Sequence, residues 1–168
     1  MMKELLNQYA RYNQWANKQM INTLLQMPAG AVDKEIESSF PSLRKTVYHT
    51  WAAEDIWLQR LQHVAKPVWV AAAFDGTFEE ACHNWEQVSA QLTHYVTAME
   101  DTALHNVLHY HDTKGNAWHR PIWQVVQHVN NHATYHRGQL VTMARQAGAT
   151  VIPPLDFILY MNTHHQHS

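Results

Sequence analysis

The chain has 168 residues with 12 Lys and Arg against 14 Asp and Glu, a formal charge of −2, and its length suits one domain with a core of its own. Hydrophobic residues make up 46% and charged residues 15%, with seven Trp, seven Tyr and four Phe, a balance that argues against a disordered chain. No basic excess supports a dedicated nucleic-acid binder, because backbone binding needs clustered Lys and Arg.

In chain order, the first predicted helix covers about residues 3–26. Leu5, Tyr9, Tyr12, Ala16, Met20, Leu24 and Met27 recur at spacings of three and four, which reads as one buried stripe. Met27-Pro28-Ala29-Gly30 ends it. Ser39-Phe40-Pro41-Ser42 then announces a second helix, with Pro41 or Ser42 in its first turn or at its cap. That helix, about residues 42–62, carries Leu43, Val47, Trp51, Glu54, Leu58 and Leu61 along one stripe. His49, Ala52, Ala53 and Ile56 form a second apolar face, so it is predicted to be buried on two sides.

Residues 67–76 read as a connection and contain the longest apolar run, Val68 to Phe74, far short of the ~18 residues of a membrane helix. A third helix over about residues 78–99 is predicted to bury Phe78, Ala81, Trp85, Val88, Leu92, Val96 and Met99. Residues 104–111 and 116–120 flank the polar turn Asp112-Thr-Lys-Gly115 and read as a β-hairpin. Pro121 opens a fourth helix that runs to about Ala147 and stops at Gly148. Pro153-Pro154 precedes a short helix at about residues 155–162. The sequence contains no internal repeat or low-complexity linker. The fold expectation is therefore all-α: a single four-helix-bundle domain over residues 1–168, with a small hairpin before the fourth helix and a short C-terminal helix.

Histidine is the anomaly, with 14 residues. On a wheel of helix four, Ile122, Val125, Val126, Val129, Ala133, Leu140, Met143, Ala144 and Ala147 share one sector. His136 lies inside that sector, His132 on its edge and His128 further out. Imidazoles four residues apart are neighbours on a helix and can grip one ion, whereas His128 and His136 are ~12 Å apart along the axis. The pair is His132 with His136 or, as the alternative, His128 with His132. His49 is the candidate third ligand, since it stands mid-helix among small apolar residues with few polar groups to satisfy it. Inward Glu54 is a candidate general base, or a partner that orients an imidazole. A carboxylate bonded to a loop or to a Trp N–H is its structural reading.

Other histidines carry less. His83 and His94 lie opposite the apolar stripe of helix three, and His63 falls at a helix end. His105, His109, His111 and His119 belong to the hairpin region, where odd-numbered positions share one face; a solvated face is the expectation. His164, His165 and His167 form at most a loose metal-binding tract. His132-Ala-Thr-Tyr-His136 has Ala where a zincin metalloprotease needs its Glu base. The single cysteine, Cys82, excludes a Cys-x-x-Cys site and an intrachain disulfide and fits a reducing cytoplasm. Residues 1–15 lack the apolar stretch and small-residue cleavage site of a signal peptide. The scattered glycines form no phosphate-binding loop.

The run His128-Val-Asn-Asn-His-Ala-Thr-Tyr-His-Arg-Gly-Gln139 closely resembles the hallmark of the damage-inducible DinB-like family, small bacterial metalloproteins distinct from the similarly named DNA polymerase. Tyr12-Asn-Gln-Trp15, His49 with Glu54 and Trp57, and Pro153-Pro-Leu-Asp-Phe157 match as well, in order along nearly the whole chain. The resemblance implies a four-helix bundle holding a divalent metal through His49, His132 and His136, and a homodimer formed through bundle helices. It also implies kinship with S-transferases and isomerases that use small bacterial thiols. The expected function is a metal-dependent enzyme whose open three-histidine site, with zinc or nickel, activates a thiol or water for a small-molecule substrate. A metal-dependent hydrolase and a non-catalytic metal-binding stress or assembly protein are the alternatives. No nucleic-acid or membrane partner is expected.

Overall fold

The computed structural model describes residues 1–164. Four long helices, α1 (Met2–Leu25), α2 (Leu43–Leu61), α3 (Phe78–Ala98) and α4 (Ile122–Gln146), form an all-α bundle. An antiparallel hairpin, β1 (Val107–His111) and β2 (Ala117–Pro121), precedes α4, and the short α5 (Phe157–His164) follows it. No helix is long and apolar enough to cross a membrane.

The helix ends follow local chemistry. Ser42 caps α2 by accepting from the Lys45 backbone N–H, and Thr77 and Glu80 form a reciprocal capping box at α3. His63 takes the left-handed position just past α2 (φ 57°). Its N–H bonds to the Arg60 carbonyl and that of Val64 to the Gln59 carbonyl, the double closure of a Schellman motif. Gly148, at φ 107°, does the same work after α4.

Each of α1 and α2 packs on both α3 and α4, so α1 and α2 stand on one diagonal of the bundle and α3 and α4 on the other. The chain therefore crosses a diagonal between α1 and α2, and again between α3 and α4, where the hairpin lies. One apolar cluster, around Met20, Leu24, Leu43, Val47, Trp85 and Leu140, fills one end of the bundle. Another, around Leu6, Leu58, Leu61, Leu92, Val126 and Val129, fills the other. Between them runs a polar storey, because each helix places polar side chains inward at mid-height: Asn13 and Asn17 on α1, Glu54 on α2, Ser89 on α3, and His136 and Arg137 on α4.

The predicted stripe of α1 needs correction. Leu5 and Tyr9 are 50% and 38% exposed, while Leu6, Ala10, Asn13, Asn17 and Ile21 face inward. Counting only apolar residues rotated the stripe away from the two buried asparagines. Tyr9 instead stacks on Phe157 of α5, with ring centroids 4.7 Å apart. Both predicted faces of α2 are covered: Ala52, Ala53 and Ile56 are buried and His49 is half-buried. His105 belongs not to the hairpin but to a 3-10 turn, Thr102–His105, before it. His109 pairs across the ladder with His119, and both are exposed, as are His83 and His94.

Candidate metal centre

Two adjacent helices build the histidine cluster. The α4 stripe that buries Val129, Ala133 and Leu140 also carries His136 inward; one turn earlier His132 is half-buried, and His128 is exposed. That gradient is the one the helical wheel gives. From α2, half-buried His49 faces the same point. His49 Nε2 lies 3.2 Å from His132 Nε2, and His132 Nε2 lies 3.1 Å from His136 Nε2. His128 packs edge-on against Trp57 and stays outside the group. Among the described residues, His49, His132 and His136 are the group of His, Cys, Asp or Glu side chains close enough to share an ion. His165 and His167 lie outside the described residues.

The hydrogen-bond arithmetic of this cluster does not close by itself. The Gln139 amide nitrogen donates to Ser39 Oγ (2.7 Å), so its carbonyl oxygen accepts from His136 Nδ1 (2.8 Å). A neutral His136 with its proton on Nδ1 turns a bare lone pair at Nε2 toward the cluster. One proton on His132 Nε2 can serve His136 or His49 well, but not both. A divalent cation resolves the conflict by accepting all three lone pairs. The spacing agrees, because ligands 2.0–2.1 Å from a tetrahedral zinc stand about 3.3 Å apart.

Electrostatics favours ligation too. Burial pushes the His49 imidazole down to about 4, helped by the charge of His136. Burial pushes His132 down to about 3, with His136, His49 and His128 adding to it. His136 is also lowered by burial, against an opposing contribution from Gln139. All three are neutral at pH 7, the protonation state a metal ligand requires. Aromatic rings wall the site: Phe40 stacks on His49 at 4.3 Å, and Trp69 lies 5.6 Å from it.

Glu54 stands apart from the cluster. Its Oε1 accepts from the amides of Asn13 (2.9 Å) and Asn17 (2.8 Å), and its Oε2 from the Ser89 hydroxyl (2.7 Å). Among the described residues no hydrogen bond joins it to an imidazole, and its partners are neither a loop nor a Trp N–H. The same two asparagines accept from Arg137 Nη1 through their oxygens, Asn17 at 2.7 Å. Arg137 Nη2 donates to Thr134 Oγ1 at 2.9 Å, and the guanidinium lies over the Tyr12 ring. Burial lowers the Arg137 pKa, with Tyr12 and Glu54 opposing.

Sequence reasoning missed Gln139 and Ser39 as supports of His136, and missed the Asn13–Asn17–Arg137 network. A signal existed for each. Gln139 follows His136 by three positions on one helix face, and Asn13 and Asn17 are one turn apart inside a buried stripe.

Comparison with known proteins supplies context for this geometry. Residues 1–167 match the family model described as DinB family. The chain is 28% identical over 155 residues, 89% of its length, to "Protein DinB" of Bacillus subtilis (strain 168), of which 90% is covered. No solved structure matches significantly.

Proposed function

The chain belongs to the DinB family, and on that footing we propose that it is a metal-dependent enzyme that activates a small thiol, or water, at His49, His132 and His136. The observation that carries this reading is a convergence of three imidazoles from two helices, with no fourth His, Cys, Asp or Glu joining them among the described residues. An imidazole donor set suits zinc or nickel. Bound there, a divalent metal supplies Lewis acidity that brings the pKa of a thiol or water in its open position toward neutrality.

The remaining work belongs to the protein's own groups. Gln139 fixes the tautomer and ring plane of His136, and Phe40 holds the His49 ring face-on. Glu54 takes the role of a positioning residue. Through Asn13 and Asn17 it fixes Arg137, the neighbour of His136, and so the rotation of α4 that aims both α4 imidazoles at α2. Thiol transfer to an electrophilic small molecule is the favoured chemistry. The reading includes a low-molecular-weight thiol, a reducing cytoplasm in which Cys82 stays a free buried thiol, and a homodimer.

Cobalt substitution tests it. Adding a small thiol to the cobalt-loaded protein is expected to produce an intense near-ultraviolet charge-transfer band that grows as pH rises and the thiolate forms. A spectrum indifferent to excess thiol overturns thiol transfer in favour of hydrolysis or a non-catalytic metal protein.

A further inference from the structure

A cleft of about 540 Å³ opens between the end of α2, the segment after it and the hairpin, with Trp69 standing between it and the histidine cluster. Trp69 belongs to both places: it lines the cleft and lies 5.6 Å from the His49 ring. At the far side of the cleft is Arg60, on the same face of α2 as His49. The guanidinium carbon lies 4.5 Å from the Trp57 ring centre and 5.1 Å from that of Tyr110. One N–H group donates to the His111 carbonyl at 2.7 Å. The others meet no acceptor among the described residues, and no carboxylate lies within ion-pair distance.

That is an unusual position for a guanidinium. Burial lowers its pKa, with Tyr110 and Asp112 opposing. Asp112 is the acid in the cleft wall, but its oxygens are occupied by the backbone N–H groups of Lys114 and Asn116, the Asn116 amide and the Trp118 indole. The cation is thus held rigidly by two rings and a carbonyl while its hydrogen-bonding fork lacks an anion. Tethering the hairpin requires one N–H; the rest of the fork matches a carboxylate.

We propose that this cleft is the substrate pocket and takes a small molecule bearing a carboxylate, with Arg60 binding the carboxylate and the opposite end of the molecule reaching the three histidines past Trp69. The part played at the histidines rests on the function proposed above; the anion site does not. About 16 Å of helix axis separates the Cα atoms of His49 and Arg60. Both side chains lean toward the helix N-terminus, but the longer arginine reaches back over Trp57, so the molecule must span on the order of 10 Å.

A series of ω-mercaptoalkanoates, each compared with the mercaptoalcohol of equal length, tests the proposal by calorimetry on the zinc-loaded full chain. The 8-mercaptooctanoate is expected to bind about tenfold or more tighter than its alcohol, as charge-assisted hydrogen bonds to a preorganised guanidinium imply. The 3-mercaptopropionate, too short to span, is expected to show little preference. R60Q should erase the preference while leaving alcohol binding and zinc stoichiometry unchanged, and R60K should restore part of it. A purely structural Arg60 would instead weaken acid and alcohol alike. Octanoate against octanol separates this idea from the thiol reading. An Arg60-dependent preference there, with no thiolate band on cobalt, supports the anion site and sinks the thiol. Equal binding of acid and alcohol by the unmodified protein, or an acid preference surviving R60Q, overturns the proposal.

Discussion

Two polar clusters share the middle of this bundle and follow opposite rules. In the Glu54 network, the amides of Asn13 and Asn17 give their N–H groups to the carboxylate and their oxygens to Arg137, so two buried charged side chains are joined through groups that satisfy both. In the histidine cluster, the three Nε2 atoms face one another with too few protons to go round. The first arrangement closes internally, as a buried network must if it is to stabilise a core. The second does not close on its own, and an added cation closes it. A satisfied network marks scaffold; an unsatisfied convergence of lone pairs marks a place for a ligand.

The largest expected effect breaks the comparison on the ligand side. His132→Ala or His136→Ala should abolish stoichiometric metal, whereas His128→Ala should largely retain it, as read by elemental analysis of the purified protein. Metal lost with His128→Ala but kept with His136→Ala would place the site one turn away.

On the scaffold side, Arg137→Met leaves the Glu54 network without its cation. It should cost about 3–5 kcal/mol in denaturant unfolding, the usual penalty for stripping a buried charge of its partner. A loss below 1 kcal/mol would show that the two asparagines suffice for Glu54. Removing the metal should matter somewhat less. At a free metal concentration of 100 Kd the ion contributes about 2.7 kcal/mol, so chelation should lower Tm while leaving a cooperative unfolding transition. An unchanged Tm with metal loss confirmed would count against a site that bridges α2 and α4.

Gln139→Leu is the sharper probe of the boundary between the clusters. It leaves all three ligands in place but releases the His136 tautomer, and should weaken metal affinity about 10–100-fold. Wild-type affinity would mean that packing alone orients the ring. The smallest effect is one of pH on the metal-free protein. His49 and His132 fall from 6.5 to about 4 and about 3 on folding. The unfolded chain thus binds more protons between those values, and stability falls as pH drops below 6.5. His132→Gln should flatten that acid limb; identical limbs would leave the histidines no part in it.

Much of this was legible in the sequence, for reasons that differ by region. The spacing of Val129, Ala133 and Leu140 sets the orientation of α4, and with it the order of burial from His136 to His128, because a regular helix converts spacing into direction. Residues bound to a single helix face were therefore readable. What crosses between helices was readable only at His49, marked by its small apolar neighbours and by the family resemblance; the rest was not. The Glu54 network depends on which helices stand diagonal, and the cleft at Arg60 depends on how the hairpin folds back onto α2. Leu5 and Tyr9 were misplaced for a related reason: Asn13 and Asn17 count as polar in any periodicity, yet here they are core.

The Glu54 network also constrains the order of events as the chain leaves the ribosome. Its members come from α1, α2, α3 and finally Arg137 on α4. A nascent chain that ends after α3 holds the carboxylate and both amides but lacks the guanidinium they are arranged around. Three helices alone would bury a half-satisfied polar layer, which disfavours their settling into the final packing. Commitment to the native bundle thus waits for α4, the same helix that delivers two of the three histidines, so the histidine cluster can assemble only once that helix has joined the other three.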